Sequence, residues 1–249
     1  MTPNVAGGYA FLPAIDAYSA GVASLDGFEI IHATLDAPLP WQQGIEAIGA
    51  YLDVRGRPVA AWCGLELRSP KARTFERFAQ FNRSYFDELA RLGIIVDGVN
   101  PIARTNVVPL AETPSAVVIH GFSFTVESTR PETSFVTAGA GELQRDALEQ
   151  VAVVRPGERT PDAMLEKAHH VLATIGDRIA ALGASWADAT VVDVYTTVDP
   201  GHVVTDAVLP GIGTAAARGI HWYPSAPPVD VLDFEMDARG IRSEILVAL

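Results

Sequence analysis

Apolar side chains recur at alternating three- and four-residue steps in two long stretches of the chain, residues 75–92 and residues 165–182. This period places them on one face of an α-helix. The first stretch is followed by Gly93, a typical helix end, and the second is preceded by Thr160 and Pro161, a typical helix start. The pattern therefore predicts one amphipathic helix in each half of the chain.

Shorter runs rich in β-branched and aromatic residues surround these helices and predict strands. A further helix is predicted at residues 41–52, where Pro40 suits the first turn. The second helix of the second half, at residues 202–209, is short and β-branched, so we expect it to be degenerate. The predicted strands cover residues 18–22, 28–35, 59–68, 103–109 and 117–125, and then residues 134–139, 151–154, 190–198, 217–224 and 229–236.

The same spacing of particular residues occurs in both halves. Arg104 and Arg218 each open a short β-prone run, and a proline follows each run. Six residues beyond that proline stands an ionisable side chain, His120 in the first copy and Asp233 in the second. An internal repeat of this kind indicates that one structural unit is used twice.

A polar, turn-forming stretch at residues 127–133 separates the two copies. We therefore divide the chain into one unit at residues 1–127 and another at residues 128–249, the latter ending in a tail from residue 238. Each unit reads β-β-α-β-α-β-β, so the sequence predicts an α+β fold built from two tandem units.

Charge and composition narrow the function. The net charge of −12 and the isoelectric point near 4.8 disfavour nucleic acid and anionic membrane surfaces as partners. A single cysteine, Cys63, excludes an internal disulfide framework, and no apolar stretch is long enough to span a membrane. Without a signal-peptide pattern we expect a cytoplasmic protein. Because phosphate-loop, zinc-spacing and serine-elbow motifs are absent from the sequence, we expect neither a cofactor nor a metal.

Three motifs resemble the RidA/YjgF family of enamine and imine deaminases: Tyr-Ser-x-x-Val at residues 18–22, the helical pattern at residues 78–85, and the strand followed by glycine at residues 135–139. Residues 66–70 and 103–106 are most similar to the two-unit branch associated with 2-aminomuconate and 2-amino-5-chloromuconate deamination. The resemblance implies two RidA-like (chorismate-mutase-like) units whose sheets pack around a trimer axis, and hence a homotrimer.

The resemblance also implies candidate site residues. In the family, the arginine at the head of the penultimate strand binds the substrate carboxylate, which here is Arg104 or Arg218. The acid of the last strand directs the attacking water, and its position falls on Asp233 or His120. Asn82 lies on the buried seam of its helix, where an amide needs a hydrogen-bond partner. The remaining candidates are Glu66 for catalysis and Tyr85, Asn106, Arg68 and His221 for substrate binding.

Each of these candidates also has a purely structural interpretation. Either arginine can form an ion pair at a sheet end, Glu66 and Arg68 can pair with each other, and His120 can be a core histidine. Because buried polar groups of the second helix accompany Arg104 only, we predict that Arg104 is the working arginine. Arg218 is then expected to affect stability or assembly.

The reaction implied by the resemblance is hydrolytic deamination of an enamine or imine carboxylic acid. The best candidate substrate is a 2-aminomuconate-type diacid, which would give 2-hydroxymuconate or 4-oxalocrotonate plus ammonia. Two alternatives stay open: a chorismatase-like enzyme that cleaves chorismate, since chorismatases also double this fold, and a non-catalytic protein that binds small carboxylates.

Overall fold

The computed structural model describes residues 1–15, 17–130, 132–144 and 152–249 of the chain. Its strands join into one large sheet. The strands are β1 (Thr2–Asn4), β2 (Tyr9–Leu12), β3 (Gly21–Ser24), β4 (Phe28–Pro40), β5 (Trp62–Arg68), β6 (Ala103–Pro109), β7 (Val118–Glu127), β8 (Phe135–Thr137), β9 (Ala140–Gly141), β10 (Val191–Thr196), β11 (His221–Ala226), β12 (Glu235–Gly240) and β13 (Ser243–Val247).

The helices are α1 (Trp41–Val54), α2 (Phe75–Arg91), α3 (Pro161–Ala181), α4 (Gly201–Val203) and α5 (Leu209–Gly211). The two long amphipathic helices, α2 and α3, begin at capping threonines. Thr74 accepts a hydrogen bond from the backbone N–H of Arg77 at 3.4 Å, and Thr160 accepts one from that of Ala163 at 3.3 Å. These caps satisfy backbone donors that have no partner within the first helical turn.

The two halves of the chain have the same strand order. The sheet runs β4-β7-β5-β6 in the first half and β8-β12-β10-β11 in the second. In both halves the second and third of these strands along the chain are parallel, and the fourth lies antiparallel between the first and the second. This shared topology confirms the α+β fold and the internal repeat.

Strands from the two ends of the chain extend the sheet of the opposite half. β3 pairs antiparallel with β8, with Val22 opposite Val136, and β13 pairs parallel with β4, with Ile245 opposite Ala33. The halves also meet where β11 pairs antiparallel with β6. The division of the sequence at residue 127 stays a prediction. In the structure, β3 of the first half and β13 of the second each pair with a strand of the other half.

The second helix of the second half is better formed than the sequence predicted. A helical path runs through α4, a π-helical turn at Val204–Val208 and α5, and a 3-10 helix follows at Gly213–Arg218. Val203, Ala207 and Val208 are buried in the core beside α3. Burial of this apolar face outweighs the low helix propensity of β-branched residues.

Two strand predictions need correction. The strand predicted from residue 217 begins at His221, because Gly219, with a φ of 79°, ends the preceding 3-10 helix. Residues 238–249, predicted as a tail, complete β12 and form β13. The strand predicted at residues 151–154 begins outside the described residues.

Apolar side chains pack between the sheet and the helices in each half, with Trp62 fully buried in the first half and Ile175 in the second. The opposite face of the sheet is buried but polar. Its two halves meet where Glu66 of β5 contacts Arg239 of β12 at 2.8 Å. Among the helices of the described ranges, none has both the length and the apolar character needed to cross a bilayer.

Candidate active site

Arg104 lies at the centre of an aromatic cage. Its side chain is only 3% exposed on β6. The guanidinium carbon lies 4.8 Å from the ring centroid of Tyr85, 5.3 Å from that of Tyr18, and 5.7 Å from those of Phe78 and Phe81. Four rings therefore hold the guanidinium by cation–π contacts and exclude water from it.

The hydrogen bonds of Arg104 are incomplete. Its Nη2 donates to Oδ1 of Asn82 at 2.7 Å, so the partner predicted for this buried amide is present. Its Nη1 is buried and has no hydrogen-bond partner within the described part of the chain. Burial lowers the pKa of Arg104, although an arginine stays protonated in proteins. A buried cation with an unused N–H group is suited to bind an anion.

Glu235 lines the same pocket, which opens partly to solvent. Its side chain, at the start of β12, is 4% exposed. Burial, together with the charges of Asp237 and Glu142, holds the pKa of Glu235 well above its usual range, despite the opposing charges of Arg178 and Arg104. A carboxyl group with a raised pKa holds its proton more strongly than an exposed one, which suits it to proton transfer.

Gly139 allows this carboxyl group to approach β6. Its backbone N–H donates to the carbonyl oxygen of Arg104 at 3.2 Å. A Cβ at this position would collide with Oε1 of Glu235 and would crowd the methyl group of Thr105. Only glycine fits between these two strands, which explains the strand–glycine motif of the second half.

Asn106 offers a second donor to the pocket. Its Oδ1 accepts a hydrogen bond from Oγ of Ser69 at 2.8 Å, which fixes the orientation of the amide. Its Nδ2 is buried and has no partner within the described ranges. Ser69 Oγ in turn accepts a hydrogen bond from Arg73 at 3.0 Å. Arg104 and Asn106, two residues apart on β6, thus both present unused N–H groups.

Four of the ten site residues predicted from the sequence are close together: Arg104 and Asn106 line this pocket, and Asn82 and Tyr85 contact Arg104. The others lie elsewhere. Asp233, predicted as the acid of the site, pairs instead with Lys167 Nζ at 2.5 Å and with Arg159 Nε at 2.7 Å.

Asp233 and Lys167 belong to a buried network that holds the start of β12. Glu142 accepts hydrogen bonds from the backbone N–H groups of Asp233 and Phe234 at 2.6 and 3.1 Å, and it lies 3.3 Å from Lys167 Nζ. Lys167 is completely buried, so its charge needs these two carboxylates. The network fixes the segment from which Glu235 enters the pocket.

Glu66 and Arg68 pair with each other at 3.3 Å, which matches their structural interpretation. Both belong to a second buried group, the Arg239 cluster, in which Arg239 Nη1 donates to Glu66 at 2.8 Å and to Asp193 at 2.9 Å. Burial alone would raise the pKa of Glu66, but His32 and these two arginines outweigh it and hold the pKa well below its usual range.

The two predicted histidines also join the Arg239 cluster. His120 occupies the irregularity between β5 and β7, where burial and the charge of Arg68 lower its pKa. His221 is largely exposed, and its Nδ1 lies 3.0 Å from Oδ1 of Asp193, whose hydrogen bond raises the pKa of the imidazole. Neither histidine lines the Arg104 pocket.

Arg218 stands apart from both groups. It ends the 3-10 helix before β11, is exposed, and donates to the carbonyl oxygens of Ala187 and Ala189 at 3.4 and 3.2 Å. Within the described residues, no group of three or more histidine, cysteine or acidic side chains is arranged to hold a metal ion.

A family model described as 2-aminomuconate deaminase CnbZ matches residues 1–245. The chain is also 37% identical over 247 residues to the 2-amino-5-chloromuconate deaminase of Comamonas testosteroni, an alignment that covers 96% of each protein. This chain belongs to the 2-aminomuconate deaminase family. Its membership makes it a deaminase, and therefore an enzyme.

Solved structures similar to this family member include a chorismatase, with a TM-score of 0.50 and 10% identity over 89% of this chain and 77% of the other. At that identity the likeness shows the fold alone. The YjgF protein of E. coli has a TM-score of 0.30 and 17% identity over 44% of this chain and 80% of its own.

Three pocket residues of this deaminase were missed as site residues by the sequence analysis. Tyr18 and Gly139 were noted only as parts of motifs, although each lies beside Arg104. Glu235 is two positions beyond Asp233, so a spacing measured from the preceding proline selected an acid that does not line the pocket. Charged and apolar residues alternate from Asp233 to Arg239, and this alternation gives no reason to prefer one of the two acids over the other.

Proposed function

We propose that this deaminase hydrolyses a 2-aminomuconate-type enamine diacid to ammonia and 2-hydroxymuconate, or its tautomer 4-oxalocrotonate. The observation that carries the proposal is that one pocket is lined both by Arg104, which has an unused N–H group, and by Glu235, a buried carboxyl group whose pKa is raised well above its usual range. The relative from Comamonas testosteroni is named for action on the chlorinated form of this substrate.

Arg104 and Asn106 bind the carboxylate beside the amino group. Their unused donors, Nη1 and Nδ2, satisfy its oxygens, and the positive charge of the guanidinium strengthens these hydrogen bonds. The aromatic rings around Arg104 pack against the flat, conjugated carbon chain. This arrangement brings C2 of the substrate and its nitrogen close to Glu235.

Glu235 then moves protons in both directions. In the imine tautomer of the substrate, the nitrogen accepts the proton of Glu235, and the resulting carboxylate takes a proton from water as the water oxygen bonds to C2. Glu235 returns this proton to the amino nitrogen and accepts the hydroxyl proton as the C2–N bond breaks. Ammonia and the 2-oxo acid leave, and Glu235 is again neutral.

Ammonia release from 2-aminomuconate, measured beside a simple 2-imino acid and chorismate, tests this function. We expect ammonia from 2-aminomuconate. Consumption of chorismate would support the chorismate-cleaving alternative instead. Tight binding of carboxylates without release of ammonia from any substrate would support the non-catalytic binder and contradict the proposal.

The proposal includes a homotrimer and a reaction that needs no cofactor. Arg104 and Glu235 come from opposite halves of one chain, so the pocket does not depend on a second copy for these two residues. Light scattering checks the trimer, and a stable monomer would contradict it. Activity that survives dialysis against a chelator is expected, and a requirement for added metal would contradict this part.

A further inference from the structure

Arg73 lies beside the Arg104 pocket, in the connection between β5 and α2. Its backbone N–H donates to the carbonyl oxygen of Pro228 at 2.9 Å, and its carbonyl oxygen accepts from the N–H of Asp230 at 3.0 Å. The segment that it holds contributes Val229 and Leu232 to the pocket wall. The position of Arg73 is therefore fixed relative to the pocket by its main chain.

The guanidinium of Arg73 is close to that of Arg104. Its central carbon lies 4.9 Å from the centroid of Phe81, and that of Arg104 lies 5.7 Å from the same centroid. The two guanidinium carbons are therefore at most about 10.6 Å apart. Arg73 Nη1 donates to Ser69, which donates to Asn106, so a chain of hydrogen bonds also joins Arg73 to the pocket donor.

Neither of these two arginines has an acidic partner. Arg68 and Arg239, the other deeply buried arginines, both bond to Glu66. Arg73 and Arg104 form no ion pair with any residue that the structure describes, and Arg73 is half-buried. Burial lowers the pKa of both groups, and the charge of Arg73 further lowers the pKa of Arg104. Two like charges in one partly dry region favour a ligand with two negative charges.

We propose that Arg73 binds the second, distal carboxylate of the substrate and makes the pocket selective for dianionic over monoanionic acids. This inference rests on the proposed function, because that substrate class carries a carboxylate at each end of six carbons. The carboxyl carbons of such an extended chain are roughly 6 Å apart, so a chain lying alongside the two guanidinium groups, rather than in line between them, can contact one group with each end.

Two inert ligands with the same carbon skeleton test the proposal by calorimetry. Muconate has two carboxylates, and 2,4-hexadienoate has one. Wild-type protein should bind muconate more tightly. Arg73→Ala should weaken muconate binding about 10- to 100-fold and hexadienoate binding by no more than about twofold, since only muconate has the distal carboxylate. Equal weakening of both ligands would make Arg73 a positioning residue for Asn106 and overturn the proposal, as would no weakening of either.

Two further variants guard against misfolding and general charge effects. Arg73→Gln keeps a donor for Ser69 but removes the charge, and it should show the same selective loss for muconate. Arg77→Ala removes an equal charge from the exposed face of α2, and it should leave both affinities unchanged. If Arg77→Ala produced the same selective loss, the effect would come from the overall positive charge of this region and not from a contact made by Arg73. The proposal would then be wrong.

The binding test is independent of turnover. If no ammonia is released from 2-aminomuconate while the muconate preference and its dependence on Arg73 are measured, the proposed function fails and the dianion site stands. If ammonia is released, Arg73→Ala should raise KM for 2-aminomuconate about 10-fold or more, with a smaller change in kcat. If the enzyme turns over 2-aminomuconate and Arg73→Ala leaves KM unchanged, the site for the distal carboxylate is contradicted and the proposed function stands.

Discussion

Arg104 and Arg239 are two arginines with nearly the same burial and opposite surroundings. Their exposures are 3% and 5%, and each lies on an interior strand of the sheet. Arg239 donates hydrogen bonds to Glu66, Asp193 and Glu244. Arg104 donates to one neutral amide and forms no ion pair with an acidic residue in the part of the chain described. Burial alone therefore does not mark a binding arginine; the missing counter-ion does.

The electrostatics of the two arginines follow from this difference. Burial tends to lower the pKa of both guanidinium groups. Around Arg239 the carboxylates of Asp193 and Glu66 reverse the effect and hold its pKa well above the usual range. Around Arg104 burial prevails and the pKa falls. A buried charge without a partner costs free energy, and such sites are tolerated where a ligand supplies the missing charge.

The largest expected effect is on catalysis by Glu235, the buried acid that lines the Arg104 pocket. Glu235→Gln keeps the shape of the side chain but cannot exchange a proton, so kcat for 2-aminomuconate should fall about 10²- to 10⁴-fold. Ammonia release measures this, and Glu76→Gln on the exposed surface of α2 is the control. A variant with near-normal kcat would show that another group moves the protons.

The raised pKa of Glu235 also predicts the sign of a stability effect. A carboxyl group whose pKa is higher in the folded than in the unfolded protein stabilises the fold fully at pH values below its unfolded pKa. This stabilisation is lost as pH rises toward the folded pKa. Glu235→Gln should therefore raise Tm relative to wild type more at alkaline pH than at pH 4. An opposite trend in thermal unfolding would contradict a raised pKa.

The second-largest effect concerns the paired arginine. Arg239→Met leaves Glu66 and Asp193 buried near each other without their shared cation, and should lower the free energy of unfolding by about 3–5 kcal/mol. Urea unfolding measures the loss. The double variant Arg239→Met with Glu66→Gln removes one of the two carboxylates left without a cation, so it should regain part of the lost stability. If Arg239→Met were as stable as wild type, the cluster would not be the structural counterpart of the Arg104 pocket.

Arg104→Met should have the opposite pattern of effects, with a marked loss of activity and a smaller loss of stability. Loss of a charge-assisted contact to the substrate should reduce kcat/KM by about 1.5–3 kcal/mol, roughly 10- to 200-fold. The free energy of unfolding should fall less than in Arg239→Met, since only the amide of Asn82 loses a partner. Kinetics and urea unfolding on both variants make the comparison. A larger loss of stability at Arg104 than at Arg239 would contradict the contrast drawn between them.

The sequence predicted the parts of this fold that depend on local periodicity. The seams of α2 and α3, the Thr160 cap of α3 and the repeated order of elements depend on short-range spacing, and the structure confirms them. The exchange of β3 and β13 between the halves depends on which distant strand each end meets, and no local pattern specifies that choice. The helical path after residue 201 was underestimated because tertiary burial overrode propensity.

For the site, the sequence predicted the contact of Arg104 with α2, but it did not predict Glu235 as the acid that lines the pocket. A buried amide at a seam position requires a partner, so Asn82 was informative by itself. Along β12 and just before it, by contrast, Asp233, Glu235, Asp237 and Arg239 alternate with apolar residues. The local sequence pattern does not distinguish these four residues. Their different environments come from the opposing strands and from α3.

The smallest expected effect is that of Arg218, the repeat counterpart of Arg104 by sequence. It is exposed, donates only to the carbonyl oxygens of Ala187 and Ala189, and lies before Gly219 turns the chain into β11. Arg218→Ala should therefore change kcat/KM less than about twofold and stability by about 0.5–1.5 kcal/mol. Both quantities are measured beside Arg104→Ala, with the oligomeric state of each variant checked by light scattering. Equal losses of kcat/KM would mean that the two halves have not specialised, and the missing counter-ion of a buried arginine would then no longer distinguish the working site.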